Sequence, residues 1–384
     1  MPRDCTPELR EEIENTIRFL AVDAIEAAGC GHPGAPMGLA AAAFELFDHH
    51  LRFDPADPDW PLRDRFILSG GHASMLLYSL LHLYGYDLPI EEIQKFRQFG
   101  SLTPGHPEYG VTPGVEMTTG PLGQGFAHAV GMALAARLAR SQMGGSVQEG
   151  QEGPGQHFVY GIMGDGDVME GISSEAGSLA GHLGLGNLIF IYDSNEITID
   201  GSTDLSLSEN VGLRFGAQDW QVQGPIDGQD IRAFSQALKA ARSDVDRPSL
   251  IVLKTVIGRG SPAVAGKNKA HGAALGAEEA ARTKDNMGWP LEPLFRVPES
   301  VRAYMVESRQ LKQKERSQVD ARHQVWREAN PDAAALWDAA RNRKLPVDLV
   351  ERLAEGMHEK ADATRKHSAT VLERLGESVP YMVG

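Results

Sequence analysis

Short, uninterrupted apolar runs alternate with longer segments of helical periodicity along most of the chain. The runs predict strands, and the periodic segments predict helices between them. The strands are expected at 64–68, 158–163, 188–192 and 250–257. The helices are expected at 73–84, 170–183 and 230–242. Strands buried on both faces read as continuous apolar runs, which is typical of a parallel sheet. Alternation of such strands with helices therefore predicts an α/β fold, a doubly wound and mainly parallel sheet flanked by helices.

Additional segments extend this pattern towards both ends of the chain. Apolar residues at helical spacing predict helices at 7–29 and 37–51, and a glycine-led helix is predicted at 120–140. The polar, glycine-rich stretch 144–156 predicts a surface loop. Residues 306–343 are rich in Lys, Arg, Glu and Gln and poor in glycine, which predicts exposed helices that connect domains.

Composition and charge exclude several classes of protein. A chain of 384 residues with 42% hydrophobic residues can bury a large core and is globular. Its net charge of −15 disfavours nucleic acid and anionic membranes as partners, because both require a basic face. Two cysteines, Cys5 and Cys30, cannot build a disulfide framework. The charged, amphipathic amino terminus does not read as a signal peptide, and no apolar run is long enough to span a membrane, so a cytoplasmic protein is expected.

Two oxygen-bearing side chains follow neighbouring predicted strands. A Gly-Asp-Gly turn, residues 164–166, ends the strand at 158–163, and Asn195 follows the strand at 188–192. Parallel strands joined by a helix end at the same edge of the sheet, where open α/β sheets bind ligands. An isolated Gly-Asp-Gly is more often an ordinary tight turn. Here its glycines would let backbone approach a phosphate, and the carboxylate and amide oxygens suit magnesium or calcium.

In this context the two strand ends resemble the thiamine diphosphate motif, in which a metal anchors the diphosphate of the cofactor. By that resemblance Asp165, Asn195 and the backbone carbonyl of Ile197 are the protein ligands of a magnesium ion, with calcium or manganese as alternatives. Glu170 opens the next helix. Its plain role is to cap that helix, and the resemblance adds carboxylate contacts across a dimer interface.

Five further motifs narrow the resemblance to one family. They are GHPGAPMGLA (31–40), DRFILSGGHASMLLYSLLHLYGY (64–86), TPGHPEYG (103–110), GVEMTTGPLGQG (114–125) and KAHGAALG (269–276). Each is similar to its counterpart in transketolases, and their order is the same. A pyruvate dehydrogenase or a deoxyxylulose-phosphate synthase would share the aspartate and asparagine but not this set of histidine motifs. The resemblance covers essentially the whole chain.

The transketolase resemblance implies a function. Such an enzyme uses thiamine diphosphate and magnesium to move a two-carbon ketol unit from a ketose phosphate such as xylulose 5-phosphate to an aldose phosphate such as ribose 5-phosphate, in the pentose phosphate pathway. It works as a homodimer with sites at the subunit interface. Three alternatives share the motifs: a dihydroxyacetone synthase, a non-catalytic cofactor-binding fragment, and one chain of a split transketolase whose partner carries the pyrimidine-binding domain.

The resemblance also assigns roles to individual residues. His32, His106 and His271 are expected to face the sugar and handle its protons, since imidazole donates and accepts protons near neutral pH. Arg365 matches the family's arginine for the substrate phosphate. Asn268 stands where many transketolases have a second histidine, so contacts there can differ. The expected cofactor contacts are His72, Gly120, Pro121, Leu122, Asp165, Gly166, Glu170, Asn195 and His271.

Composition and resemblance together predict three parts of the chain. Residues 1–325 are expected to form a diphosphate-binding domain, 326–362 a helical interdomain linker, and 363–384 the start of a pyrimidine-binding domain. That start should comprise a helix at 363–376 and a strand at 379–384. The family carries its cofactor-activating glutamate further into the pyrimidine-binding domain. We therefore expect this chain alone to lack ketol-transfer activity.

Overall fold

A five-stranded sheet lies at the centre of the computed structural model, which describes residues 5–357 and 361–382. Its strands are β1 (Arg65–Leu68), β2 (Val159–Gly164), β3 (Leu188–Ser194), β4 (Gln221–Asp227) and β5 (Ser249–Lys254). They are arranged in the order β1-β2-β3-β5-β4, and every neighbouring pair is parallel. The predicted α/β fold with a parallel sheet is confirmed.

Helices precede, connect and follow these strands. Within the described residues they are α1 (Pro7–Ala28), α2 (Gly34–Glu45), α3 (Ser74–Tyr84), α4 (Ile90–Gln94), α5 (Gln124–Met143), α6 (Asp165–Met169), α7 (Gly171–His182), α8 (Val211–Ala217), α9 (Ile231–Ser243), α10 (Ala277–Asn286), α11 (Glu299–Ala329), α12 (Pro331–Arg341), α13 (Leu349–Ala354) and α14 (Thr364–Ser378). None of the helices in this part of the chain has an apolar stretch that could cross a lipid bilayer.

The sheet is buried on both faces, as its apolar strands predict. Ile189 and Ile191 of β3 join a core with residues of α1, α2, α3 and α9. Leu188, Phe190 and Tyr192 of the same strand join a second core with residues of α5 and α7. Burial of each large apolar side chain contributes about 1.5–3 kcal/mol. The carboxyl edge of the sheet is thus held between two packed layers of helices.

The chain divides into two compact units. Met1–Leu134 and His157–Gln318 form the first, which contains the sheet, and Ala135–Gln156 and Val319–Gly384 form the second. Inside the second unit, the Trp326 indole donates a hydrogen bond to the Gly144 carbonyl at 2.6 Å. The predicted domain boundaries at residues 325 and 362 stay predictions.

Several predicted boundaries are wrong by a few residues, and five helices and strands of the described residues were not predicted. α5 begins at Gln124 rather than at residue 120, because residues 120–123 form a turn. β3 continues to Ser194, and β5 ends at Lys254 rather than at 257. The unpredicted elements are the strand β4 and the helices α4, α6, α8 and α10.

The carboxyl-terminal predictions have mixed outcomes. The helix expected at 363–376 is confirmed as α14. The strand expected at 379–384 does not form over residues 379–382, and residues 383 and 384 lie outside the described residues. The stretch 144–156 has no regular structure, in agreement with the predicted loop.

Candidate active site

The ends of β2 and β3 bring the two predicted oxygen ligands together. Gly164 at the end of β2 pairs with Asp193 near the end of β3, so the residues that follow leave the sheet side by side. The backbone N–H of Glu196 donates a hydrogen bond to Asp165 Oδ2 at 2.9 Å. Asp165 and Asn195 line the same cavity. The expectation that they meet at the carboxyl edge is confirmed.

Asp165 is a buried carboxylate in a site rich in oxygen. Burial raises its pKa, although the hydroxyl of Tyr192 donates a hydrogen bond to Oδ1 and opposes that rise. The charge of Glu196 raises the pKa further. The carboxylate has no cation beside it in the described part of the chain to balance its charge. A bound dication would supply that balance.

Hydrogen bonds hold the Asn195 side chain in one orientation. Its amide N–H₂ donates to Asp193 Oδ2 at 2.8 Å, and its Oδ1 accepts from the backbone N–H of Ile197 at 3.1 Å. Asp193 is fully buried, which raises its pKa to about 7, while a hydrogen bond from the Thr255 hydroxyl opposes the rise. Because its nitrogen is committed to Asp193, the asparagine keeps its oxygen as a fixed acceptor.

The carbonyl of Ile197 is available for a ligand. Ile197 and Ser202 form an isolated antiparallel bridge. The peptide groups on either side make its hydrogen bonds, Thr198 N–H to Gly201 O at 2.7 Å and Thr203 N–H to the Glu196 carbonyl at 3.0 Å. Residues at such a position turn their own N–H and C=O away from the partner strand. Ile197 also lines the cavity, so its carbonyl suits the predicted role.

The donor set suits a hard cation. It combines one carboxylate, one amide oxygen and one backbone carbonyl, which are the oxygen ligands that magnesium and calcium take in proteins. No group of three or more His, Cys, Asp or Glu side chains that could hold a metal occurs among residues 5–357 and 361–382. The soft, thiolate-rich or histidine-rich alternatives typical of zinc therefore have no support in this part of the chain.

Three histidines from distant parts of the sequence form a cluster in the same cavity. His32 follows α1, His72 follows β1, and His271 lies in the long connection between β5 and α10. Their ring centroids are 5.1 Å apart for His32 and His72, 5.1 Å for His72 and His271, and 5.7 Å for His32 and His271. His106 lines the same cavity from the loop before α5. All four predicted histidines are thus brought together.

These histidines are held in the neutral form. Burial, together with the nearby His271, Arg97 and His106, lowers the pKa of His32 to about 4. Burial and its histidine neighbours lower the pKa of His72 to about 3. The pKa values of His106 and His271 are also lowered, first of all by burial. A neutral imidazole can both donate and accept a hydrogen bond at neutral pH.

Two of these rings carry unsatisfied polar atoms. The Nδ1 atoms of His32 and His271 are buried and have no hydrogen-bond partner among the described residues. Buried polar atoms in folded proteins are nearly always hydrogen-bonded, so an orphaned atom lining a cavity indicates a missing polar ligand. The structure therefore supports a polar ligand in contact with His32 and His271.

We expect the buried, neutral histidines to make the fold sensitive to acid. His72 has a pKa of about 3 in the folded chain against 6.5 in an unfolded one, so unfolding takes up a proton between these values. Stability should therefore fall as the pH drops below 6.5. Replacing His72 with glutamine should reduce the loss between about pH 7.5 and about pH 5 by about 1 kcal/mol, measured by urea unfolding. The exposed His182→Gln is the control, and an equal acid loss in wild type and His72→Gln would refute the expectation.

The turn before α5 packs closely on the end of β1. A Cβ atom at Gly71 would lie 2.9 Å from the backbone nitrogen of Gly120, so only glycine allows this approach. Gly120 itself has φ +153°. Gly120 and Leu122 line the cavity, while Pro121 stands exposed between them and does not.

Two residues near the cavity were missed by the sequence interpretation. Asp167 is fully buried and accepts hydrogen bonds from Ser69 Oγ at 2.6 Å and from Gly123 N–H at 2.8 Å. Arg97 has the left-handed φ of +62°, and its charge lowers the pKa of His32 and His106. No local pattern identifies the role of either residue, because the groups that each one contacts or influences lie far away in sequence.

The cavity that these residues line has a volume of about 490 Å³. Of the predicted site residues, it is lined by His32, His72, His106, Gly120, Leu122, Asp165, Gly166, Glu170, Asn195, Ile197 and His271. Glu170 is the N-cap residue of α7, as predicted, although its side chain makes no capping hydrogen bond. Arg365 lies on α14 in the second unit, with its side chain exposed. The Asn268 side chain donates to the Ile199 carbonyl at 3.3 Å.

A glycine at the end of β2 leaves room for a ligand. A Cβ atom at Gly164 would meet no protein atom within 4 Å, although Gly164 has an ordinary backbone conformation with φ −105°. Neither packing nor backbone strain in the chain therefore requires glycine here. Its absent side chain leaves open space in the cavity, beside Asp165, where a phosphate could approach the backbone.

Comparisons with known proteins agree with this geometry. Residues 9–346 match the family model described as "Transketolase, thiamine diphosphate binding domain". The chain is 48% identical over 370 residues to a transketolase of Geobacillus stearothermophilus, covering 96% of this chain and 55% of the relative. It is 46% identical to transketolase 2 of Escherichia coli, covering 98% of this chain and 56% of the relative.

Solved structures give the same result. A Pichia stipitis transketolase in complex with sedoheptulose-7-phosphate superimposes with a TM-score of 0.88 at 42% identity, covering 97% of this chain and 54% of that one. A Leishmania mexicana transketolase superimposes with a TM-score of 0.89 at 38% identity, covering 97% of this chain and 55% of that one. The chain thus spans about half the length of the relatives it matches. It belongs to the transketolase family, and its matched region is the thiamine diphosphate-binding domain.

Proposed function

We propose that this chain supplies the diphosphate-binding and metal-binding wall of a transketolase active site, together with three of its sugar-handling histidines. One observation carries the proposal. A single cavity is lined by the Asp165 and Asn195 oxygens and by a cluster of neutral histidines whose buried nitrogens lack partners. A ligand that is anionic at one end and polar at the other would satisfy both groups.

In this proposal the metal site serves to hold the diphosphate. Asp165, Asn195 and the Ile197 carbonyl are the ligands of one magnesium ion, with calcium or manganese as alternatives. The side-chain-free backbone at Gly120 and Gly166 lets peptide N–H groups approach the phosphate oxygens. His72, Leu122 and Glu170, which line the cavity, are further proposed contacts, and so is the exposed Pro121 beside it. The hydrogen bond to Asp193 fixes the Asn195 amide, so its oxygen would be the atom offered to a metal.

The histidines act on the sugar. When bound, thiamine diphosphate supplies a thiazolium ring that stabilises negative charge on the carbon of a former carbonyl group. His32, His106 and His271 bind the hydroxyl and carbonyl oxygens of the sugar and hold or move their protons. Because their pKa values are lowered, these rings are neutral at neutral pH, and each can either donate or accept a proton. Arg365 is proposed to bind the substrate phosphate through its guanidinium group.

The activity of a whole transketolase reaches beyond the part of its relatives that this chain matches. We propose ketol transfer from xylulose 5-phosphate to ribose 5-phosphate in the pentose phosphate pathway, by a homodimer or with a partner chain. The sedoheptulose-7-phosphate bound to the Pichia stipitis relative supports a sugar phosphate as substrate. A dihydroxyacetone synthase has no separate observation in its favour. The cytoplasmic location stays a prediction.

Cofactor binding by the chain itself tests the first half of the proposal. Titration calorimetry of thiamine diphosphate is expected to show one site per chain that requires magnesium and is lost with excess chelator. The Gly164→Ala variant should keep the unfolding free energy of wild type within about 1 kcal/mol, since its methyl group meets no protein atom. Its cofactor affinity should fall by roughly tenfold or more, because the methyl group enters the space kept for the phosphate.

A second glycine variant distinguishes a loss of ligand space from a loss of stability. Gly71→Ala is the matched control, because its methyl group would strike Thr119 and Gly120 and should destabilise the fold. Unchanged cofactor affinity in Gly164→Ala would show that the phosphate does not bind beside Gly164. Absence of cofactor binding by wild type would refute the proposed function. Ketol transfer can then be assayed with the chain alone and after adding the part of a curated transketolase that the chain does not match.

A further inference from the structure

Asp167 is a buried charge that no cation balances. Its side chain is completely inaccessible to solvent, and it forms no ion pair among the described residues. Burial raises its pKa, and three hydrogen bonds oppose that rise. Burying a carboxylate without a cation costs free energy, and the hydrogen bonds that the carboxylate accepts offset part of this cost.

The three donors to Asp167 come from three separate segments of the site. Oδ1 accepts from the Ser69 hydroxyl at 2.6 Å and from the Gly123 N–H at 2.8 Å, while Oδ2 accepts from the Gly164 N–H at 3.0 Å. Ser69 follows β1, Gly123 closes the turn before α5, and Gly164 ends β2. One side chain therefore joins the turn that contains Gly120 and Leu122 to the strand end that carries Asp165.

The connection extends into the first turn of α5. Ser69 Oγ, which donates to Asp167, accepts a hydrogen bond from the Phe126 N–H at 3.0 Å. An amino-terminal N–H of α5 is thereby satisfied through the serine, and the position of the helix end is tied to the same carboxylate. Chains of hydrogen bonds of this kind polarise and strengthen one another in a dry interior.

We propose that Asp167 is a positioning residue that holds the turn at 120–123 and the end of β2 in the arrangement needed to bind a diphosphate and its metal together. The inference rests on the proposed function, because it assigns that turn and Asp165 to one ligand. Asp167 lines the same cavity, but it is not one of the proposed metal ligands. It acts by preorganising those ligands, and the outer partners of a metal site typically contribute 10- to 100-fold in affinity.

A matched control distinguishes positioning from plain structural support. Asp64 is also a buried carboxylate that ties two segments together, accepting from Arg52 N–H at 2.9 Å and from Phe158 N–H at 2.8 Å. It stands just before β1, at the amino-terminal ends of β1 and β2, whereas Asp167 contacts residues near their carboxyl-terminal ends. Asp167→Asn and Asp64→Asn each place an amide where backbone N–H groups point, so both should destabilise the fold.

The experiment measures cofactor affinity and local stability in the full chain of 384 residues. Thiamine diphosphate is titrated in the presence of magnesium at a temperature where urea unfolding shows each variant to be folded. Asp167→Asn should weaken binding by roughly 10- to 100-fold, and Asp64→Asn should leave it within about twofold of wild type. Unchanged affinity in Asp167→Asn, or an equal loss in both variants, would overturn the proposal.

A second readout does not depend on the cofactor. Amide hydrogen exchange without ligand should be faster by roughly threefold to tenfold at Gly123 and Gly164 in Asp167→Asn, with little change at β3. In Asp64→Asn the faster amides should be Arg52 and Phe158. Exchange at Gly123 and Gly164 equal to wild type would overturn the positioning role, even if the wild-type chain bound no cofactor.

Ser69→Ala supplies the test if Asp167→Asn does not fold. It removes one donor to Asp167 and the acceptor for Phe126, while keeping the carboxylate and its two backbone donors. Faster exchange at Phe126 together with weaker cofactor binding is expected. Normal exchange and normal affinity in this variant would show that the network does not position the site.

Discussion

Replacing Asp165 with asparagine is expected to weaken the binding of thiamine diphosphate with magnesium by roughly 100-fold or more. The amide keeps the size of the side chain but loses the charge that balances the dication. The hydroxyl of Tyr192 can turn to accept from the new N–H₂ group, so the fold should survive. Calorimetric titration at several magnesium concentrations measures both the affinity and its dependence on the metal.

Another aspartate of the same cavity serves as the control for Asp165. Asp200 lines the cavity, but its side chain is exposed, and no proposed ligand lies on it. Asp200→Asn should therefore retain the affinity and metal dependence of wild type, because an exposed charge is screened by solvent. Unchanged affinity together with unchanged metal dependence in Asp165→Asn would show that the cation is held elsewhere.

Alanine at His32, His106 or His271 is expected to lower ketol transfer by roughly 10²- to 10⁴-fold, in a preparation where the chain supports turnover. Each substitution removes a neutral imidazole that can donate or accept a proton at the sugar. The affinity for thiamine diphosphate should stay close to that of wild type, because these rings are proposed to contact the sugar more than the cofactor. The measurement is the rate at saturating cofactor, beside a cofactor titration of each variant.

His182→Ala is the control for the histidine series, since its side chain is exposed at the end of α7. It should leave both the rate and the cofactor affinity unchanged. A variant of His32, His106 or His271 that binds cofactor poorly but has a normal rate at saturating thiamine diphosphate would contradict the assignment. That result would indicate that this histidine contacts the cofactor rather than the sugar.

The strand ends show how far local patterns reach. The apolar runs at 158–163 and 188–192, joined by a helical segment, were enough to predict a parallel pair. From a parallel pair it followed that Asp165 and Asn195 would meet, and the register of β2 with β3 confirms it. A prediction of this kind succeeds because one short crossover fixes which strand ends are neighbours.

The edge of the sheet shows where local patterns fail. β4 contains Gly224 and Pro225, and none of its residues is fully buried, so it lacks the apolar run that identified the other strands. Proline is tolerated there because an edge strand need not donate every backbone N–H to a neighbour. β4 becomes a strand through its pairing with β5, which no residue within β4 itself indicates.

Short-range periodicity and motif spacing were enough to predict the parallel α/β fold, the family, the meeting of Asp165 and Asn195 at neighbouring strand ends, and the four histidines that line the cavity. Features that depend on contacts between distant segments could be seen only in the folded chain. Asp167 meets Ser69 across 98 positions and Gly123 across 44, and this pairing starts α5 after the turn at 120–123. The low pKa of His72 likewise arises from burial beside histidines of other segments. Burial and hydrogen bonding between distant residues are properties of the packed chain, and no local pattern encodes them.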